Sequence, residues 1–276
     1  MDHQYRAMAA IAFSLGLTAC GGGGDDHPAT TPVATAPPAT TTPPASTTPP
    51  VSTPAPVTTS AEGVYEGTIS NGQSHFSLIL ENGDTYVLFG QTVNTVFGVS
   101  GFLRGSGKST NGAFTSTDIR EYAPAVAPDV FAINATYVAG TSLSGTFSGG
   151  GASLTYTGAK LSTSNYTYAT AAKLSDIAGA WTMNDLAGAK VTLNIGADGK
   201  FTGNSGACAV TGTLAPRASG KNVFDFTLVF GAAPCALPGQ SATGEALSFT
   251  IGAQRQLIAA GTDTSRQNGT AFIGVR

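Results

Sequence analysis

The chain is poor in charge: Lys, Arg, Asp and Glu make up 11% of its 276 residues, 13 basic against 16 acidic, for a formal net charge of −3. No Lys/Arg cluster supplies the basic footprint that a phosphate backbone demands, so nucleic acid is not expected as a partner. Histidine is equally scarce. Of the three, His3 and His27 precede the part expected to fold, which leaves His75 alone. With no CxxC and no His/Cys spacing of a metal site, neither a metal nor a cofactor is expected. Long apolar runs are missing too: the stretch from Ala7 through Leu17 has about 11 residues, where a spanning helix needs roughly 20.

Two further motifs fall short of chemistry. The stretch "RGSGKST" from Arg104 to Thr110 has Phe102 where a phosphate loop needs its first glycine, and no helical pattern follows, so Lys108 reads as a loop residue. The carboxylates Glu62, Glu66, Glu81, Asp118 and Glu121 are scattered, with Asp118-Ile119-Arg120-Glu121 reading as a solvated, partly self-paired edge. A histidine-dependent hydrolase would have to use His75.

What is present at the N-terminus is an address. Residues 1–19 carry Arg6, the short apolar run and then small residues, the pattern of an export signal peptide. The stretch Leu17-Thr18-Ala19-Cys20 resembles the lipobox of bacterial lipoproteins. That resemblance implies a mature chain beginning at an acylated Cys20, carrying lipid such as palmitate and anchored in a bilayer. Gly21, rather than Asp, after the cysteine implies the outer membrane. Residues 20–60 form a Gly-rich and then Pro/Thr-rich tether: from Pro28 to Ser60 there are ten prolines, eleven threonines and no charged residue. Proline fixes φ and lacks a donor, so the segment favours disordered polyproline II, and its 33 residues reach roughly 100 Å at ~3.1 Å each.

The remaining residues read as short Val/Ile/Phe/Tyr/Thr runs between glycines, the pattern of strands and turns. Asn82-Gly83 and Asp198-Gly199 supply the positive φ of tight hairpins. Those hairpins are copies: a gapless shift of 116 residues lays Gly63 on Gly179, Tyr65 on Trp181, Ile79 on Ile195, Gly83 on Gly199 and Gly90 on Gly206. Beyond Gly90 the register is lost. About eight strands per copy suit two tandem up-and-down antiparallel β-barrels, which remove exposed edges; β-sandwiches are the alternative. The first unit spans residues 61–160, a connector 161–173, and the second unit 174–276, where Leu174 to Ala178 reads as a short helical plug. For His75 two patterns conflict. The repeat lays it on inward-looking Val191, whereas alternation puts Phe76, Leu78 and Leu80 inside and His75 outside; alternation is preferred, with a bulge shifting register.

Gly179-Ala180-Trp181 opening an eight-stranded unit resembles the Gly-x-Trp of lipocalin-like barrels, with Gly63-Val64-Tyr65 a degraded copy. The resemblance implies that Trp181 closes one end of its barrel and packs against a basic residue of the last strand, Arg276. Trp181, Tyr65 and Arg276 are thus the candidate structural or ligand-contacting residues. As a whole the chain resembles uncharacterised two-domain lipoproteins of Gram-negative bacteria. Asn134, Asn165 and Asn268 head glycosylation sequons that such a protein leaves bare. Cys208 and Cys235 both lie in the second unit and, in an oxidising compartment, are expected to pair, closing a 27-residue loop worth roughly 3.6 kcal/mol. The expected function is a non-enzymatic binding or interaction module facing a protein or small apolar ligand. A structural or stress-associated envelope protein is the alternative, and a hydrolase of envelope polymers a third.

Overall fold

A computed structural model describes residues 60–93, 96–161 and 166–276. Cys20, the leader and the Pro/Thr tether lie outside the described residues. The first unit runs through β1 (Gly63–Ile69), β2 (Ser74–Ile79), β3 (Asp84–Val93), β4 (Val96–Ser106), β5 (Lys108–Thr110), β6 (Ala113–Tyr122), β7 (Asp129–Val138), β8 (Ser142–Gly149) and β9 (Ala152–Lys160). Antiparallel neighbours join in sequence, β1 pairs with β9, and β4 pairs with β6 through Phe102 and Tyr122, which closes an eight-stranded ring. The three-residue β5 is a side arm on β6, so Lys108 is an exposed strand residue and not the loop residue expected.

The second unit follows a 3-10 turn, Leu174–Asp176. Its strands β10 (Gly179–Asp185), β11 (Lys190–Ile195), β12 (Lys200–Ser205), β13 (Cys208–Pro216), β14 (Phe224–Phe230), β15 (Ser241–Ile251), β16 (Gln254–Thr262) and β17 (Gly269–Val275) close a second barrel. The chain is therefore all-β, with two closed antiparallel barrels in tandem.

The copies agree at the level of single hydrogen bonds. At the β2–β3 and β11–β12 turns, Gly83 and Gly199 (φ 88° and 80°) donate to Leu80 O and Gly196 O at 2.9 and 3.0 Å. Asn82 Oδ1 and Asp198 Oδ1 each accept from the amide two residues on, at 3.1 Å. A Cβ on either glycine would also lie 2.3 Å from Gly107 O or 2.2 Å from Leu214 O, so both conformation and space demand glycine. Register is shared as well: Tyr65 faces Ser77 as Trp181 faces Leu193, and Gly67 faces Gly158 as Met183 faces Gly274. The common register ends at a bulge between Phe89 and Gly90.

Three apolar clusters hold this together. Tyr65, Ile79, Phe114, Ile119 and Leu143 fill the first barrel, and Trp181, Met183, Phe224, Phe226 and Leu257 fill the second. The third is a seam between the barrels, where Phe76, Leu78, Leu88 and Phe97 on β2–β4 pack against Leu247, Phe249, Ile258 and Ile273 on β15–β17. Phe76 stacks on Phe249 with centroids 5.7 Å apart. Each such side chain, fully buried, contributes ~1.5–3 kcal/mol. The described residues accordingly fall within one compact unit.

The seam overturns the reading of β2. Phe76, Leu78 and Leu80 point out of the first barrel into the seam, while His75 is 0% exposed and points into the barrel interior. Pairing of β1, β2 and β3 is continuous through His75, without the bulge invoked. Alternation identifies a strand's two faces but cannot say which is the barrel interior when both are buried. Asp118–Glu121 also differs from the expected edge: Asp118 is exposed, but Ile119 is fully buried, and Asp118 pairs with Arg266 of the second barrel at 2.8 Å instead of with its neighbour Arg120.

Candidate functional site

The residues singled out by the Gly-x-Trp resemblance close the barrel ends. Trp181 is 2% exposed, its Nε1 donates to Ile177 O at 2.7 Å, and the Arg276 guanidinium lies 4.4 Å from its ring centre. Arg276 in turn donates to Ala178 O and Asp176 O, which ties the last strand to the 3-10 turn. In the first barrel the Tyr65 hydroxyl donates to Ala61 O at 3.0 Å, the same four-residue reach. Burial pushes its pKa up to about 12. These groups seal interiors already filled by side chains. The Cys208–Cys235 bridge is formed, with Cα atoms 4.6 Å apart, and joins the start of β13 to the β14–β15 loop.

His75 lies at the wall of the first barrel. Its Nε2 is 3.0 Å from Thr157 O, which can only accept, so Nε2 carries the proton and Nδ1 accepts from the Ser77 hydroxyl at 2.9 Å. The ring meets Tyr156 edge-on at 5.4 Å. Burial holds its pKa below the ordinary 6.5, so the ring is neutral. Serine beside a neutral imidazole is the pairing of a nucleophile with its base, but Ser77 and His75 are 1% and 0% exposed, walled off from any substrate.

Groups open to ligand lie where the connector meets the first barrel's mouth. A cavity of about 170 Å³ is lined by Val64, Tyr65, Leu161, Tyr166 and Tyr168, with Lys160 also on its wall. The rings are fixed at their hydroxyls: Tyr166 donates to Asn222 O at 2.9 Å and Tyr168 to Glu81 Oε2 at 3.3 Å. Burial raises both phenol pKa values far above the ordinary value, so the rings stay neutral. On the same wall Glu62 and Lys221 pair at 3.1 Å, and the Lys221 ammonium sits 5.1 Å from the Tyr168 ring centre. Among the described residues, this lining holds no histidine, cysteine or serine, and no His/Cys/Asp/Glu cluster suits a metal.

No family model and no curated protein matches the chain. Among solved structures it is similar to a protein of unknown function from the DUF3598 family of Nostoc punctiforme. The identity is 14%, covering 78% of this chain and 94% of that one, with a TM-score of 0.27. So distant a likeness carries no argument about function.

Beside the cavity lies a polar knot that ties the barrels together. Arg217 reaches Glu81 and Asp225 at 2.8 Å and Glu245 at 3.1 Å. Sequence reasoning reached none of Tyr166, Tyr168, Lys221, Arg217 or Glu245. The one available signal was Tyr166-Thr167-Tyr168, two tyrosines at strand spacing within a connector that holds no other aromatic residue.

Proposed function

We propose that the chain is a non-enzymatic binding module of the bacterial envelope. In this reading an acylated Cys20 anchors it to the outer membrane, the Pro/Thr tether holds it clear of the lipid, and the tyrosine-lined cavity receives a small apolar group. The observation that carries the proposal is the lining itself, three buried tyrosines around an apolar floor with one paired Lys/Glu couple beside it. Such a surface binds apolar matter and orients it with few polar groups. At about 170 Å³ it suits a single ring or branched side chain, either a small ligand or the anchor of a protein partner. The sealed Ser77–His75 pair supports the non-enzymatic part.

Titration with p-cresol, followed by ligand-observed NMR, tests the site. The parent should bind, and Ala169→Trp, which fills the cavity from an exposed lining position, should weaken binding at least ~10-fold without lowering Tm. Undiminished binding to that variant, or none to the parent, refutes the assignment. The anchor is tested separately by the mass of membrane-extracted protein and its loss of acyl chains in Cys20→Ser. The filled barrels favour a second reading, a purely structural envelope protein, which predicts no binding of p-cresol.

A further inference from the structure

A second cleft, remote from the tyrosines in sequence, contains a group that the protein leaves unfinished. Gln256 on β16 is 0% exposed, yet neither its Nε2 nor its Oε1 has a hydrogen-bond partner. It sits across from Phe249 and Val275 and shares the outer, seam-facing side of β16 with Ile258 and Ala260. A buried carboxamide with both ends unpaired is destabilising, and chains rarely retain one without something to complete it. Leucine there would fill a similar volume and leave nothing unpaired. Gln256 is among the residues that line a cleft of about 350 Å³ between the first barrel's β4 and the second barrel's β10 and β17, with its amide covered. Phe97, Val99 and Ile273 give the cleft its apolar wall, while Thr182, Asn184 and Lys190 give it a polar lip.

We propose that this cleft binds an apolar peptide segment, one extended residue of which pairs its backbone N–H and C=O with Gln256. A primary carboxamide offers a donor and an acceptor side by side. Its complement is a group that offers an acceptor and a donor on one side, as the C=O and N–H of a single extended peptide residue do. A carboxylate can only accept, and would leave a lone pair of Oε1 without a donor. An alkyl alcohol has a single hydroxyl for both ends. The apolar wall gives the neighbouring side chain a place to bury, and the closed barrel offers no free strand edge, so recognition passes through this one side chain and not through strand addition.

The test uses the 15N-labelled full chain and three probes: N-acetyl-leucine methylamide, hexanoate and hexanol. The Gln256 side-chain NH₂ pair, assigned by its loss in Gln256→Leu, should shift on addition of the blocked leucine and stay in place with the other two. Gln256→Leu should be at least as stable as the parent and bind the peptide probe at least ~10-fold more weakly. Val99→Trp, which keeps the amide and fills the cleft, should block binding too. A Gln256 signal that moves with no probe, equal binding by hexanoate or hexanol, or undiminished binding to Gln256→Leu overturns the proposal. N-Hexylacetamide binding where the blocked leucine does not would assign the cleft to acyl amides and overturn it for peptides.

Discussion

Glu245 offers the sharpest test of the seam between the barrels, through the single change Glu245→Gln. Its side chain is 10% exposed, Oε1 is 3.1 Å from Arg217, and Oε2 has no partner. Glu245 lines a small pocket together with Phe76, Leu78, Leu88 and Leu247. Burial is the largest influence and, although Arg217 opposes it, lifts the carboxyl from an ordinary 4.5 to about 8, with Asp225 adding repulsion. Arg217 cannot offset this fully, because Glu81 and Asp225 share its single charge. Below about pH 4.5 the group is protonated in both folded and unfolded chains and costs nothing. Between there and about pH 8 the unfolded chain releases the proton while the folded one retains it, so stability falls by about 1.4 kcal/mol per pH unit. Over that interval the loss approaches roughly 4–5 kcal/mol, and above it the curve is flat. Glutamine keeps the shape and never ionises, so Glu245→Gln should match the parent near pH 4.5 and exceed it by ~4 kcal/mol at pH 9. For a folded part of this size that is roughly 8–16 °C in Tm. Calorimetry of both proteins at pH 5, 7 and 9 measures it. Parallel pH curves, or a variant less stable than the parent at pH 9, would show that Glu245 is ionised in the seam and that Arg217 compensates it.

Two further outcomes follow from buried rings. Trp181→Ala should cost about 3–5 kcal/mol in denaturant titration and Arg276→Ala about 0.5–2, while the parent's single tryptophan should emit blue-shifted and resist quenching by iodide; a red-shifted parent spectrum would contradict a sealed barrel end. For His75 the folded pKa lies below 6.5, so its contribution is complete above that pH and is lost as pH falls through the acid side. His75→Ala should cost about 2–4 kcal/mol at pH 8 by leaving Ser77 and Thr157 without their partner, and should flatten stability between pH 6.5 and 5, which urea titrations across that range would reveal.

The local parts of this fold were legible, because their causes are local. Asn82-Gly83 and Asp198-Gly199 announce their turns through side-chain oxygens and positive φ, and the 116-residue repeat between them predicted that His75 would look where Val191 looks. The error at His75 came from trusting polarity over register. Phe76 and Leu78 are apolar because a second barrel covers them, a fact that no window around β2 contains. Asp118 was misread in the same way: its partner Arg266 is 148 residues away. The tyrosine cavity and the Arg217 knot were beyond reach for this reason, since each gathers residues from both barrels or from the connector, and a list of dispersed Glu and Lys does not say which will meet. The Trp181–Arg276 stack came through resemblance to a known barrel type, and the disulfide through compartment and count.

The seam joins unlike faces: the first copy offers β2–β4, and the second offers β15–β17. Such a head-to-tail contact has no twofold axis to close it, so a second copy that kept the first copy's face would recruit a third barrel, from another chain, and polymerise. The sequence stops this at both ends. Where the first barrel places Phe76 and Leu78, the second has exposed Thr192 and Asn194. Where the second barrel places Ala271 and Ile273, the first has exposed Thr155 and Thr157. The duplicated units have thereby become a donor and an acceptor that can each be used once, and a length of two is written into four outward-facing side chains.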